Sequence, residues 1–270
     1  MAKDYGRAGR NLRAAIPVGL GLMGLITASL VLAPWTLSII VAIASTLAVY
    51  ELKAALVLKD LHVGASLYFG APLMVMAAYF GGEYALVVAF GLTVLVALLE
   101  RLAAGADGYV RDAAASTFVA AYVPLLLSFA MLLLRSENGT AQVLTLVILT
   151  AGTDTGGYIA GVLFGRHPMA PTISPKKSWE GFAGSILLNV VLGSMLFVQL
   201  FEQPWQFGAL AGVVLALVGT QGDLVESLIK RDVGLKDMSN LLPGHGGIMD
   251  RLDSVIPNAF AAWALFAVLL

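Results

Sequence analysis

Asp223, Glu226, Lys230, Arg231, Lys236, Asp237, His245, Asp250, Arg251 and Asp253 fall within 31 residues of a chain otherwise poor in charge. Their types suit a phosphate site. Carboxylates offer hard oxygen to a cation such as Mg²⁺, which takes one or two of them together with waters and substrate phosphates. Lysine and arginine hold the phosphates. On a helix, Asp223, Ser227 and Lys230 stack at i, i+4 and i+7 on one face. Glu226 and Lys230 are spaced for an i, i+4 pair, the plainer reading for Glu226. Asp250 and Asp253, at i and i+3, share a side if a helix begins near Asp250, with Arg251 turned away from them. Capping of that helix start is the structural alternative for both. Between the two acidic groups runs Leu241-Leu-Pro-Gly-His-Gly-Gly-Ile-Met249. Pro243 and the glycines at 244, 246 and 247 break any helix and expose N–H groups that can cradle phosphate oxygens.

Two further segments carry candidates. Ser174-Pro175-Lys176-Lys177-Ser178-Trp179-Glu180-Gly181 offers two lysines as point charges for a polyphosphate, or as topological and lipid-facing cations. Ser178 is placed to cap a helix that has Glu180 in its first turn. Asp154, in Ala151-Gly-Thr-Asp-Thr-Gly-Gly-Tyr158, sits well inside an apolar run. An ionisable group there is costly and therefore a functional candidate. The glycines beside it open room for a ligand or ion, whereas Thr153, Thr155 or Tyr158 could merely satisfy the carboxyl.

These residues must be positioned by helices in a membrane. Of 270 residues, 59% are hydrophobic and 12% charged, against about 45–50% and a quarter in soluble domains. This composition excludes a disordered chain and a nucleic-acid-binding tail, and argues against an ordinary soluble enzyme. With no cysteine, disulfides, thiolate nucleophiles and zinc–cysteine sites are excluded. Nine apolar stretches lie at about 16–33, 37–58, 67–80, 84–99, 117–134, 141–164, 181–201, 207–229 and 255–270. The third and fourth are short for a bilayer about 30 Å thick. Strands are not expected, because a sheet edge in lipid leaves its backbone unpaired.

The expected architecture is an all-α polytopic membrane protein with about nine transmembrane helices, its N-terminus cytoplasmic and its C-terminus on the opposite side. That alternation puts Lys3, Arg7, Arg10, Arg13, Lys53, Lys59, Arg101, Arg111, Arg166, Lys176, Lys177, Lys230, Arg231, Lys236 and Arg251 on the cytoplasmic side and Arg135 alone on the other. Such a bias follows the positive-inside rule. The loops 165–180 and 230–254 then share the cytoplasmic face. Residues 1–140, about five spans, read as scaffold or dimerisation surface, with a homodimer as the expected assembly. Residues 141–270 read as the catalytic region. Gly152, Gly156, Gly157 and Gly161 have the spacing of close helix packing.

The run Ser227-Leu-Ile-Lys230-Arg231 through Lys236-Asp237, His245-Gly246-Gly247 and Asp250-Arg251-Leu-Asp253 resembles the full signature of the phosphatidate cytidylyltransferases, also called CDP-diacylglycerol synthases. Each fixed position of that signature is met. An upstream block of the same family is similar to Asp154, Tyr158, Gly161, Gly165 and Ser174 through Gly181, with Gly157 where alanine is common. The motif-bearing part covers about 150–257. The resemblance implies transfer of CMP from CTP to phosphatidate, forming CDP-diacylglycerol and pyrophosphate. It implies Mg²⁺, with Mn²⁺ able to replace it and room for a second cation, and an active site on the cytoplasmic face of the cell (inner) membrane. It implies CTP, phosphatidate and membrane lipids as partners and no nucleic acid.

The residue roles that follow are these. Asp223 and Asp250 are the principal metal ligands, and Asp253 and Asp154 secondary ones. Lys230, Arg231, Lys236 and Arg251 hold phosphates, and His245 donates to a phosphate or leaving group. Lys176 and Lys177 bind nucleotide or lipid phosphate. Tyr158, Ser174, Ser227, Asp237, Gly246 and Gly247 complete the substrate site. Two competing readings stand beside this one. A CTP-dependent polyprenol or phytol kinase uses the same nucleotide, and an ion-coupled transporter is a different use of Asp154. Asp107-Gly108-Tyr-Val-Arg does not fit the motif of CDP-alcohol phosphotransferases, and no P-loop, H-E-x-x-H or G-x-S-x-G element is present.

Overall fold

The computed structural model describes residues 21, 24–103, 105–239, 241 and 246–270. Among them, helix α1 spans Trp35–Val57, α2 Leu67–Leu102, α3 Tyr109–Ala120 and α4 Leu126–Arg135. Then come α5 Gly139–Phe164, strands β1 Pro168–Ala170 and β2 Ser174–Ser178, α6 Trp179–Phe201, α7 Trp205–Val233, α8 Met249–Leu252 and α9 Val255–Leu269. A helical segment at 24–32 precedes α1. Seven of the described helical stretches are long and apolar enough to cross a membrane. The chain is thus a polytopic, helical membrane protein. The first expected span, 16–33, falls partly outside the described residues, and Lys3, Arg7, Arg10 and Arg13 fall wholly outside them.

The 36 residues of α2 are one element only in name. At Gly82, φ is 75° and ψ is −160°, a conformation that favours glycine. The chain reverses there: the carboxylate of Glu100, near the end of the second arm, accepts the N–H groups of Ala65 and Ser66, just before the first. The two short apolar stretches at 67–80 and 84–99 are therefore the arms of a helical hairpin. Arg135, the lone cation expected on its side, closes the bend. Its guanidinium donates to the carbonyls of Tyr79 and Phe80 at 3.2 and 2.7 Å, two groups that the end of the first arm leaves without helical partners.

Between α3 and α4 the helix widens into a π-turn over Ala121–Leu125, where Pro124 has no N–H to give. In the C-terminal half, close approach depends on small residues. A side chain at Gly156 would meet the backbone of Gly184 at 2.6 Å, and one at Gly181 the carbonyl of Gly157 at 2.8 Å. Asn189, buried in α6, crosses the interface to donate to the Leu149 carbonyl and the Thr153 hydroxyl. The glycines of α5 are packing residues, as their spacing suggests.

One expectation needs correction. The segment 165–180 holds a two-stranded antiparallel sheet, β1 against β2, with Pro168 opposite Ser178 and Ala170 opposite Ser174. The argument against strands applies inside hydrocarbon. This hairpin lies in a loop between spans, where water can satisfy its edges. Ser178 ends β2 and caps α6, its hydroxyl accepting the Gly181 N–H at 3.1 Å.

Candidate active site

One end of the bundle gathers the charged segments. Lys59 pairs with Asp232, Arg231 donates to the Ile173 carbonyl, and Lys177 pairs with Asp223 at 2.8 Å. Pro34, Leu134, Gly139 and Leu200 share a hollow at the other end. The sequence stretches assigned to one side of the membrane by alternation thus come together in space.

The site is built on α7, α8 and α9. Gly222 lets the turn into α9 settle on α7, since an added side chain would meet Pro257 at 2.5 Å. That contact brings Asp223 beside Asp253, with Asp154 of α5 near enough for its charge to act on the same carboxylate. Asp253 accepts the Ser254 N–H at 2.7 Å on Oδ1. Asp223 accepts the Ser227 hydroxyl at 3.3 Å, as the shared helix face requires, and pairs with Lys177, whose ammonium also donates to the Thr220 carbonyl.

Asp250 is more fully engaged. Its Oδ1 takes Lys230 at 2.7 Å, and its Oδ2 accepts the N–H groups of Met238 and Gly247 at 3.0 and 2.8 Å. Lys230 is shared with Glu226, a fully buried i, i+4 partner. Lys230 therefore bridges two carboxylates, a use different from direct phosphate holding. Gly246 has φ 78°, and a side chain there would meet Asp250 Oδ2 at 2.8 Å. The amides expected to cradle phosphate also have other partners. Gly247 N–H serves Asp250, and the Ile248 and Met249 N–H groups serve Glu51.

The remaining candidates are placed as follows. Lys176, Lys236, Asp237, Arg231 and Tyr158 are exposed around this end, and Ser174 is half-buried in β2. Arg251 is half-buried, its Nε without a hydrogen-bond partner among the described residues. His245 lies outside the described residues. Among those described, no three carboxylate or imidazole groups converge into a ready-made ion cage.

Two residues escape sequence reasoning. Glu51, 1% exposed, reaches α8 from α1. Its signal was available: it is a carboxylate inside an apolar stretch. Tyr122, on the π-turn, has a buried hydroxyl without a hydrogen-bond partner and feels the charges of Glu226, Asp253 and Asp223. Nothing in the sequence but the neighbouring Pro124 marks it.

Comparison with known proteins identifies the family. The model of the cytidylyltransferase family matches residues 13–269. A phosphatidate cytidylyltransferase of Mycobacterium bovis is 42% identical over 283 residues, covering 99% of this chain and 92% of the relative. One from Mycobacterium leprae is 42% identical over 295 residues, covering 99% and 91%. One from Helicobacter pylori is 31% identical over 248 residues, covering 91% and 89%. With its signature acids assembled at one end of a helical bundle and nearly its whole length matched, the chain belongs to the cytidylyltransferase family.

Proposed function

We propose that the chain transfers CMP from CTP to phosphatidate, forming CDP-diacylglycerol and pyrophosphate. A phosphatidate phosphate oxygen attacks the α-phosphorus of CTP. The bond from that phosphorus to the bridging oxygen of the β-phosphate breaks, and pyrophosphate leaves with the electron pair. The nucleophile is already ionised at neutral pH, so no strong general base is needed. The difficulty is the meeting of two anions, and catalysis is mainly positioning and charge compensation.

The observation that carries this reading is the excess of acid over base. Asp154, Asp223, Glu226, Asp250 and Asp253 meet Lys177 and Lys230. Such a group suits a bound cation, and the carboxylate of Asp253 beside that of Asp223 fits one. Mg²⁺, or Mn²⁺ in its place, would neutralise the triphosphate and activate the pyrophosphate as leaving group. Asp223 and Asp253 would hold it, with Asp154 a candidate ligand for a second cation and Asp250 fixing the geometry through Lys230. Two carboxylates suffice for Mg²⁺ when phosphates complete its shell.

Lys177, on Asp223, would exchange that partner for a substrate phosphate. Lys176, Arg231, Lys236 and Arg251 would guide the anions, and His245 would donate to the leaving group. The diacyl tails would enter sideways between helices. The cationic bias of the loops supports a cytoplasmic site in the cell (inner) membrane.

The test is thin-layer analysis of lipid formed by purified protein from cytidine-labelled CTP and phosphatidate, with and without Mg²⁺. Label in the lipid, dependent on Mg²⁺, is expected. Release of labelled CDP instead would establish a kinase, and no turnover would return the transporter reading.

A further inference from the structure

The first five apolar stretches carry none of the signature, yet one of them holds a carboxylate directly against it. Glu51 lies in α1, an apolar helix, and is buried. Its Oε1 accepts the Ser239 hydroxyl at 2.5 Å and the Ile248 N–H at 3.0 Å, and its Oε2 accepts the Met249 N–H at 2.8 Å. Among the ion pairs of the described residues, none involves Glu51. A buried carboxylate held by neutral donors is costly to place in a span. Its position at the start of α8 is where helix amides and dipole favour it.

The local sequence is shaped to admit it. A side chain on Gly247 would lie 2.6 Å from Oε2 and 2.7 Å from Oε1 of Glu51. Gly246 makes the same allowance for Asp250 on the other side of the turn. Three consecutive amides, at 247, 248 and 249, are thereby divided between Asp250 and Glu51. Helix α8 is a single turn that runs on into α9 through Asp253 and Ser254, both in the right-handed helical conformation. Its free end is held from two sides, by Lys230 on Asp250 and by Glu51 on the Ile248 and Met249 amides. Asp250 is on that helix, and Asp253 ends it.

We propose that Glu51 is a positioning residue for the transfer reaction, a carboxylate from the N-terminal half that fixes Asp250 and Asp253 through the amides of Ile248 and Met249 and the space left by Gly247. The proposal rests on the transfer activity inferred above. A displacement of about 1 Å at reacting groups can cost about a hundredfold in rate.

The experiment uses full-length protein in phosphatidate-containing detergent micelles, with wild type, Glu51→Gln, Glu51→Asp, Gly247→Ala and the double variant Glu51→Asp with Gly247→Ala. Glu51→Gln replaces one acceptor oxygen by an NH₂ facing an N–H donor. It should lower kcat by about tenfold or more while the KM for CTP moves by less than about threefold. Gly247→Ala should be similarly impaired. Adding Glu51→Asp, which withdraws the carboxylate by one methylene, should recover part of that loss. Partial recovery in the double variant is a coupling that two independent lesions do not show.

Kcat within about twofold of wild type for Glu51→Gln would overturn the proposal. So would a fall in thermal midpoint with unchanged turnover per folded molecule. If Glu51→Gln does not fold, the Gly247→Ala pair decides, and a double variant as poor as the product of its singles refutes the coupling. Absence of CDP-lipid from wild type would instead refute the transfer reading itself.

Discussion

Two buried aspartates, Asp112 in the N-terminal half and Asp250 in the C-terminal half, solve the same problem with opposite balances. Asp112 is fully buried and accepts Arg101 at 2.8 Å, Arg111 at 3.4 Å and the His62 N–H at 3.1 Å. Arg111 also pairs with Asp60, and Arg101 donates to the Asp107 carbonyl. Two guanidiniums face two carboxylates, so the group is closed on itself. It ties the segment after α1 to the start of α3. Around Asp250 the count runs the other way, with Lys230 divided between Asp250 and Glu226, Lys177 on Asp223, and Asp253 and Asp154 close by. A neutral cluster has no need of a ligand. An acidic one is completed by cations, and the substrate brings anions to those cations in turn. Clustering of charge at one end of a membrane bundle therefore does not by itself mark a candidate site, whereas its imbalance does.

The largest effect that tests this contrast is at Asp250. Asp250→Asn removes the charge opposite Lys230 and weakens the acceptor for Met238 and Gly247 N–H. CDP-lipid formation should fall by at least about a hundredfold, because the geometry of the acidic group is lost. The protein should still insert and purify. Near-normal turnover with Mg²⁺ would remove Asp250 from the machinery. Failure to fold would make it the equivalent of Asp112.

Asp112→Asn should produce the reverse pattern. Breaking a buried ion pair from one side costs about 3–5 kcal/mol, since the Arg101 guanidinium is left without its counter-charge while Arg111 keeps Asp60. Thermal stability in detergent should drop sharply, while kcat per folded molecule stays within about twofold of wild type. A specific loss of kcat at unchanged stability would show that the closed cluster also serves catalysis.

Lys177 comes next. It is the one lysine of the acidic group that lies on the β-hairpin side, paired with Asp223 and the Thr220 carbonyl. Lys177→Ala should raise KM for CTP or phosphatidate by about tenfold, in line with a charge-assisted hydrogen bond to phosphate. A change in membrane orientation alone, with KM intact, would give the residue to topology.

The two halves also differ in how far the sequence discloses them. Long apolar stretches announce the spans, because in lipid only a helix satisfies its own backbone. The hairpin at Gly82 was visible as two stretches too short to be ordinary spans. Ser178 as a cap, and Glu226 paired with Lys230, follow from spacing alone. The C-terminal acids were legible because they recur within one segment. Glu51 was not grouped with them: its partners lie 188 to 198 residues away, and hydrophobicity all round α1 hides which face meets which neighbour. The same blindness hides other partners for the glycine loop. Without the positions of Asp250 and Glu51, nothing shows that the amides of Gly247, Ile248 and Met249 are already engaged. The β-hairpin was passed over because a rule for lipid was applied to a loop.

The smallest effect concerns the contact that joins the two halves most visibly. Lys59, just after α1, pairs with Asp232 at the end of α7 at 3.1 Å, and the side chains are 43% and 74% exposed. Water and salt screen such a pair, which is worth about 0–1 kcal/mol. Lys59→Ala should therefore leave kcat, KM and thermal midpoint almost unchanged at moderate ionic strength. Beside a large effect of Glu51→Gln, that result would show that the halves are coupled through the buried carboxylate on α8 and not through the charges at the surface. A loss of turnover in Lys59→Ala that added salt reproduces in wild type would reverse that order, and would make the approach of α1 to α7 itself the element that sets the acidic group.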